Sequence, residues 1–209
     1  MSELIVISPE TEYAKEAFWV SRMFEEGLER YHLRKPGWSK GRLIAFVQQI
    51  HEKYWSRFVL HQSYELVGKL DLAGYHLKDN SDALSEVERF QEVRRSSQSM
   101  SRSVHSFEAL HSDSGNWDYL FLSPVFDSIS KEGYSSKWTL EEIESVLNGD
   151  FEKPLTKCYA LGGVDSSNIN RCLEIGFDGV AVLGAVWNDA DPLKAFGELK
   201  GAMNSVVIR

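Results

Sequence analysis

Eight short apolar runs, separated by segments of helical period, set the tightest limit on what this sequence can fold into. The runs are LIVIS (4–8), RYHLR (30–34), RFVLHQ (57–62), GYHLK (74–78), MSRSVHS (100–106), YLFLSP (119–124), CYALGG (158–163) and GVAVLG (179–184). Between them TEYAKEAFWVSRMFEEG places Ala14, Phe18 and Met23 near one helical face, and SKGRLIAFVQQIHEKYW does the same with Leu43, Phe46, Val47 and Ile50. Ser39, Asp165 and Asp191 stand at helix N-cap positions, the last directly before Pro192, and Gly27, Gly149 and Gly176 stand where helices end. Eight βα units close most simply as a (β/α)8 TIM barrel, an α/β fold. An open doubly wound sheet competes with it, but that fold usually carries a glycine-rich fingerprint after its first strand, and ISPETEY has none. Residues 1–209 read as one barrel domain with no low-complexity linker.

The formal net charge of −8 argues against a general nucleic-acid surface, while a local pocket of donors for a small anion remains possible. Cys158 and Cys172 are too few for a disulfide framework and lack metal-ligand spacing, which fits a reducing, cytoplasmic setting. MSELIVISPE has neither the basic start nor the long apolar run of a signal peptide, and no segment approaches the roughly 20 apolar residues of a membrane span.

In a barrel, chemistry sits where the strands end. The residues leaving the runs are Ser8; His32, Arg34 and Lys35; His61 and Gln62; His76 and Lys78; Ser103 and His105; Ser123 to Lys131; Gly162 and Gly163; Gly184 and Ala185. Gly162-Gly163 and Gly184 let backbone N–H groups approach a phosphate before a helix N-terminus, though tight βα turns alone would also require them. The Arg34 guanidinium suits phosphate oxygens, against the alternative of a strand-end ion pair. Ser128, Ser130 and Lys131 together form an anion-binding set rather than an ordinary solvated loop. His32, His61, His76 and His105 are candidates for proton transfer or for hydrogen-bonded core positions, with His76 expected to point into the barrel. Their local spacing argues against a metal site, since no carboxylate or second histidine lies nearby in sequence. Trp38, Trp138 and Trp187 read as exposed aromatics that gate a pocket or line an interface, as in a possible homodimer.

YHLRKPGWS, GYHLKDN, SRSVHSFEAL, LSPVFDSISKEGYSS, YALGGVDSSNI and GFDGVAVLGAVW occur in the order expected of the thiamine-phosphate synthase/thiazole tautomerase (TenI-type) family, which the chain resembles over essentially its whole length. The resemblance implies a barrel acting on phosphorylated small-molecule precursors of thiamine. In the synthase branch a hydroxymethylpyrimidine diphosphate is joined to a thiazole phosphate with release of pyrophosphate, and Mg2+ sits on the diphosphate. By that resemblance Arg34, Ser128, Ser130 and Lys131 hold the diphosphate, and Gly162, Gly163, Leu183 and Gly184 hold the thiazole phosphate. His61 and Gln62 line the substrate, and in the tautomerase reading His32 or His105 is the catalytic group that moves the proton.

This sequence departs from the synthase pattern at three strand ends. His32 replaces a glutamine. Pro36 stands at a lysine position that Lys35 could fill by a shift. His61-Gln62-Ser63 stands for Asn-Asp-Asp, putting a neutral amide where a Mg2+ carboxylate would be. After the fourth strand Asp79 is the remaining candidate Mg2+ ligand, and Lys78 could supply fixed positive charge in its place. His32 fits the tautomerase branch better, whereas Pro124 is synthase-like. Synthase is the first reading; tautomerase and a non-catalytic binder of phosphorylated thiamine precursors are the alternatives.

Overall fold

The computed structural model describes residues 2–77, 83–113, 116–127, 136–149 and 156–205. Eight parallel strands close into a barrel in chain order: β1 (Glu3–Ile7), β2 (Arg30–Leu33), β3 (Phe58–Leu60), β4 (Gly74–Leu77), β5 (Ser99–Val104), β6 (Tyr119–Leu122), β7 (Lys157–Leu161) and β8 (Gly179–Val182). Every expected strand is present, and β1 to β3 and β5 to β8 end before the last residue of their apolar runs. Ile5 lies opposite Arg30 on β2 and opposite Ala181 on β8, so β1 closes the ring. Parallel strands need crossover helices, and these are α1 (Glu16–Glu25), α2 (Lys40–Val47), α3 (Glu65–Lys69), α4 (Ala83–Val93), α5 (Phe107–Ser112), α6 (Leu140–Asn148) and α7 (Ile169–Glu174), then α8 (Gly184–Trp187) and α9 (Pro192–Asn204) after β8. A 3-10 helix, Glu52–Arg57, leads into β3.

Strand alternation sorts the side chains. Leu4, Val6, Tyr31, Leu33, Phe58, Leu60, Met100, Leu120, Leu122, Val180 and Val182 belong to the large core under the helices. Ile5, Ile7, Tyr119, Phe121, Tyr159 and Ala181 form a second cluster in the lumen. The helices begin and end where local chemistry dictates. Thr139 and Glu142 make a reciprocal capping box at α6, which ends at Gly149 in the left-handed conformation (φ 94°). Asp191 accepts from Leu193 and Lys194 N–H ahead of Pro192.

Three expectations are corrected. Lys15 takes a left-handed conformation (φ 60°), so α1 starts at Glu16 and its buried stripe is Glu16, Val20, Met23 and Phe24, leaving Ala14 exposed and Phe18 54% exposed. A buried charge inside that stripe hid it from a reading based on apolar residues. Asn168 rather than Asp165 caps α7; Asp165 closes the turn before it by accepting from the Ser167 N–H and hydroxyl. Trp187 is buried with its indole N–H donating to the Ile7 carbonyl at 2.8 Å, while Trp38 and Trp138 are half-buried, so the argument for a gating or dimer surface from exposed tryptophans lapses.

Gly179 is required by space. A Cβ there would collide with the Glu3 carbonyl and lie 2.7 Å from the Tyr159 ring. Gly179→Ala is expected to lower the unfolding free energy by about 1–3 kcal/mol, the usual cost of overpacking. Urea denaturation with an unchanged midpoint would show that the lumen yields at this point.

Candidate active site at the barrel mouth

The lumen is built upward from a polar floor. Arg30 donates from Nε to Glu3 Oε1 (2.8 Å) and from Nη1 to Ser99 Oγ (3.0 Å), Tyr159 donates to Glu3 Oε2 (2.7 Å), and the Arg30 guanidinium lies 4.8 Å from the centre of the Tyr119 ring. Above it, Tyr119 Oη is 2.8 Å from His32 Nε2, and His32 Nδ1 is 2.9 Å from His61 Nε2. His76 is held by Ser101 Oγ at Nδ1 (2.8 Å) and Ser103 Oγ at Nε2 (3.2 Å), stacked between His61 (4.3 Å) and Phe121 (4.9 Å). His32, His61 and His76 are all buried. Burial first, and then His76 and the Arg30 charge, hold His32 well below the usual imidazole range. Burial, followed by the charges of Arg34 and Arg102, pulls His76 down to about 3. Both are therefore neutral at physiological pH, and neither titrates near 7 as a free imidazole would.

The spacing argument against a histidine metal site is overturned. Residues 29 and 15 positions apart in sequence come together on adjacent strands, and one ring nitrogen from each of His32, His61 and His76 lies within 4.8 Å of the other two. His76 does point into the barrel, as expected.

At the mouth, a second network fixes the first loop. The Lys35 ammonium is fully buried and donates to Glu16 Oε2 (2.6 Å) and to the Pro9 (2.6 Å) and Thr11 (2.8 Å) carbonyls. Tyr31 donates to Glu16 Oε1 at 2.9 Å. Burial pushes the Glu16 carboxyl up and the Lys35 ammonium down, and their mutual contact opposes both shifts. Lys35 therefore cannot stand in for the family's mouth lysine; its three acceptors leave it none to spare. Ser8 locks the end of β2 by bonding both the N–H (2.7 Å) and the carbonyl (2.9 Å) of Arg34. The Arg34 guanidinium is partly exposed and paired with Glu10 on that same anchored loop.

Gln62 donates from Nε2 to the Trp38 carbonyl (3.0 Å). His105 is exposed, with Nδ1 2.7 Å from the Ser123 carbonyl, which makes Nδ1 the protonated nitrogen. The Ser123–Pro124 peptide is cis. Gly162 (φ 93°) and Gly163 (φ 65°) hold the β7 end against this loop. A Cβ on Gly162 would come within 2.9 Å of Pro124 Cα, and one on Gly163 within 2.7 Å of Phe126 Cβ. The two glycines are thus required by the backbone itself, the turn reading of them. Leu183 is the N-cap of α8, which begins at Gly184. A cavity of about 290 Å³ beside Gly184 and Ala185 is lined by Asp165, Asp189 and Glu198. Lys78, Asp79, Ser128, Ser130 and Lys131 lie outside the described residues.

The donors at the β3 end do not fit Mg2+, which takes oxygen ligands, mostly carboxylate and water. His61 offers nitrogen, and Gln62 offers a neutral amide already tied to Trp38. The residues that sequence reasoning missed are Tyr119, Ser101, Arg30 and the Glu16–Lys35 pair. Period-two alternation in YLFLSP and MSRSVHS carries Tyr119 and Ser101 inward, but which polar groups meet there depends on register between strands.

The family model described as thiamine monophosphate synthase matches residues 4–186 of the chain. The chain belongs to the thiamine monophosphate synthase family. Among relatives in this family, a thiamine-phosphate synthase of Thermus thermophilus is 27% identical over 97% of both chains. The crystal structure of a thiamine phosphate pyrophosphorylase from Bacteroides thetaiotaomicron superposes with a TM-score of 0.79 at 29% identity, covering 97% of this chain and 98% of that one. A thiamine phosphate pyrophosphorylase from Pyrococcus furiosus, 22% identical, shares the fold with a TM-score of 0.76 over 98% of this chain and 96% of that one. The family match spans nearly the whole barrel, and the β2 and β3 ends of this chain carry His32 and His61.

Two predictions follow from burial. Lys35→Met leaves Glu16 buried without its partner and is expected to cost about 3–5 kcal/mol in chemical denaturation. Adding Glu16→Gln should recover most of that loss; a single variant as stable as the parent would contradict the anchoring role. For His32 and His76 the unfolded chain binds protons more readily than the native one, so stability is intact above about pH 6.5 and falls as pH drops toward the lowered native values. Chelator-treated protein should lose up to about 1.4 kcal/mol per pH unit for each histidine in that window, and His76→Gln should flatten the slope. A flat profile between pH 6.5 and 4 would refute the burial assignment.

Proposed function

We propose that this chain is a thiamine-phosphate synthase, joining hydroxymethylpyrimidine diphosphate to thiazole phosphate with release of pyrophosphate. The observation that carries the reading is end-to-end similarity to a protein of that name, over 97% of both chains. In this reaction the thiazole ring nitrogen attacks the pyrimidine methylene carbon while the carbon–oxygen bond to the diphosphate breaks. The bonding electrons leave with the pyrophosphate. Arg34, just past the end of β2, would take that leaving group, exchanging its Glu10 partner for phosphate oxygens. Ser128, Ser130 and Lys131 complete the diphosphate cradle in this reading. The β7 and β8 ends, through Gly162, Gly163, Leu183 and Gly184, take the thiazole phosphate. Holding both reactants at one mouth supplies much of the rate.

Mg2+ belongs to this reading only through the resemblance, with Asp79 its candidate ligand. The described donors at the β3 end, a ring nitrogen and a neutral amide, do not fit it. A reducing, cytoplasmic setting also belongs to the proposal, and the two free, buried cysteines are compatible with it. The tautomerase reading would draw its base from His32 or His105, and His32 suits it less because it is fully buried with both ring nitrogens engaged.

Purified protein given the pyrimidine diphosphate and the thiazole phosphate should form thiamine phosphate and pyrophosphate. Arg34→Ala should lower kcat/KM by about 100-fold or more, as expected when a charged contact to the leaving group is lost. Tight thiazole phosphate binding with no product, with or without Mg2+, would replace the synthase by a binder.

A further inference from the structure

We infer that His32, His61 and His76 form a nitrogen-ligated binding site for a borderline transition-metal cation, Zn2+ or Co2+, set inside the barrel beneath the mouth. The three imidazoles come from β2, from the residue that follows β3, and from β4, three neighbouring strands in barrel order, and all are buried. Their convergent nitrogens lie within 4.8 Å of one another, and the His32–His61 pair is already at 2.9 Å. Ligands about 2.0–2.1 Å from a tetrahedral ion are separated by roughly 3.3 Å, so the site closes on a metal once its wider pairs draw together by up to about 1.5 Å.

The partners of the remaining nitrogens strengthen the assignment. His32 would bind through Nδ1, its Nε2 being held by Tyr119 Oη at 2.8 Å. His76 would bind through Nε2, releasing the longer contact to Ser103 and keeping Nδ1 on Ser101 at 2.8 Å. A hydrogen bond on the far nitrogen, fixing tautomer and ring orientation, is the usual support of a metal-bound histidine. Three neutral imidazoles without a carboxylate select a nitrogen-seeking ion and disfavour Mg2+ or Ca2+.

The neighbouring charges shape the occupant. Arg30 bears on His32, and Arg34 and Arg102 bear on His76. With these cations close and the three ligands neutral, the remaining coordination position suits an anion, such as hydroxide or a phosphate oxygen, better than neutral water. Inorganic phosphate should accordingly raise the affinity for the metal. The inference does not depend on the synthase reading, since it concerns only the histidines and their supports.

The test is titration of chelator-stripped, full-length protein with Co2+, followed by visible absorption. One equivalent should give a saturable ligand-field band that Zn2+ abolishes. His61→Ala should weaken binding by at least about 100-fold, and Tyr119→Phe by roughly 10–100-fold, the range for removing an outer support. His51→Ala, on the exposed surface, should change nothing. Because a core variant can fail to fold, histidine-ring NMR of the unaltered protein provides an independent arm. One equivalent of Zn2+ should shift the rings of His32, His61 and His76. The absence of a saturable band, equal binding by folded His61→Ala, or ring shifts confined to His51, His105 and His111 would overturn the site.

Discussion

Closure of the sheet is the constraint from which the rest of this structure follows. With β1 paired to β8 the ladder has no edge, and every second side chain is committed to a lumen that water cannot freely fill. A polar group placed there must find its partner on another strand. The chain has put an unusual number of them inside: Glu3, Arg30, Ser99, Tyr159, Tyr119, His32, His76, Ser101 and Ser103. They answer one another in layers, from the Arg30–Glu3 floor to the imidazole stack. Register between strands therefore does more than align backbones. It decides which donor meets which acceptor, and it brings together histidines that are remote in sequence.

The mouth is organised by a second buried charge pair of different character. Lys35 and Glu16 lie outside the lumen, between β2 and α1, and Lys35 also grips two carbonyls of the loop after β1. Such a pair is weak evidence for net stability, because desolvating both charges opposes their attraction. What it secures is position: Glu10 is delivered beside Arg34 by a loop whose backbone is tied down on either side of it. An anion arriving at Arg34 therefore competes with a carboxylate that stays close at hand, which favours polyanionic ligands over weakly charged ones.

Much of this was legible beforehand. The eight strands, the caps at Ser39 and Asp191, and the glycines ending α1, α6 and α7 follow from period and local chemistry, which act over a few residues. The histidine cluster was not legible, because proximity across strands depends on shear and closure rather than on spacing. Lys35 was misjudged for a related reason. A lysine leaving a strand reads as solvent-facing until the acid that buries it, Glu16, is recognised as part of a helix's inner stripe. Gly162 and Gly163 were read as a phosphate contact or a turn, and the backbone demand was the firmer half.

The floor has a consequence for traffic. Arg30, Glu3, Tyr159 and Ser99 are knitted across the bottom of the barrel, beneath a Tyr119 ring that carries the guanidinium on its face. Anything passing through the barrel from below would have to part the Arg30–Glu3 and Tyr159–Glu3 bonds, so the histidine layer is walled off on that side by its own polar contacts.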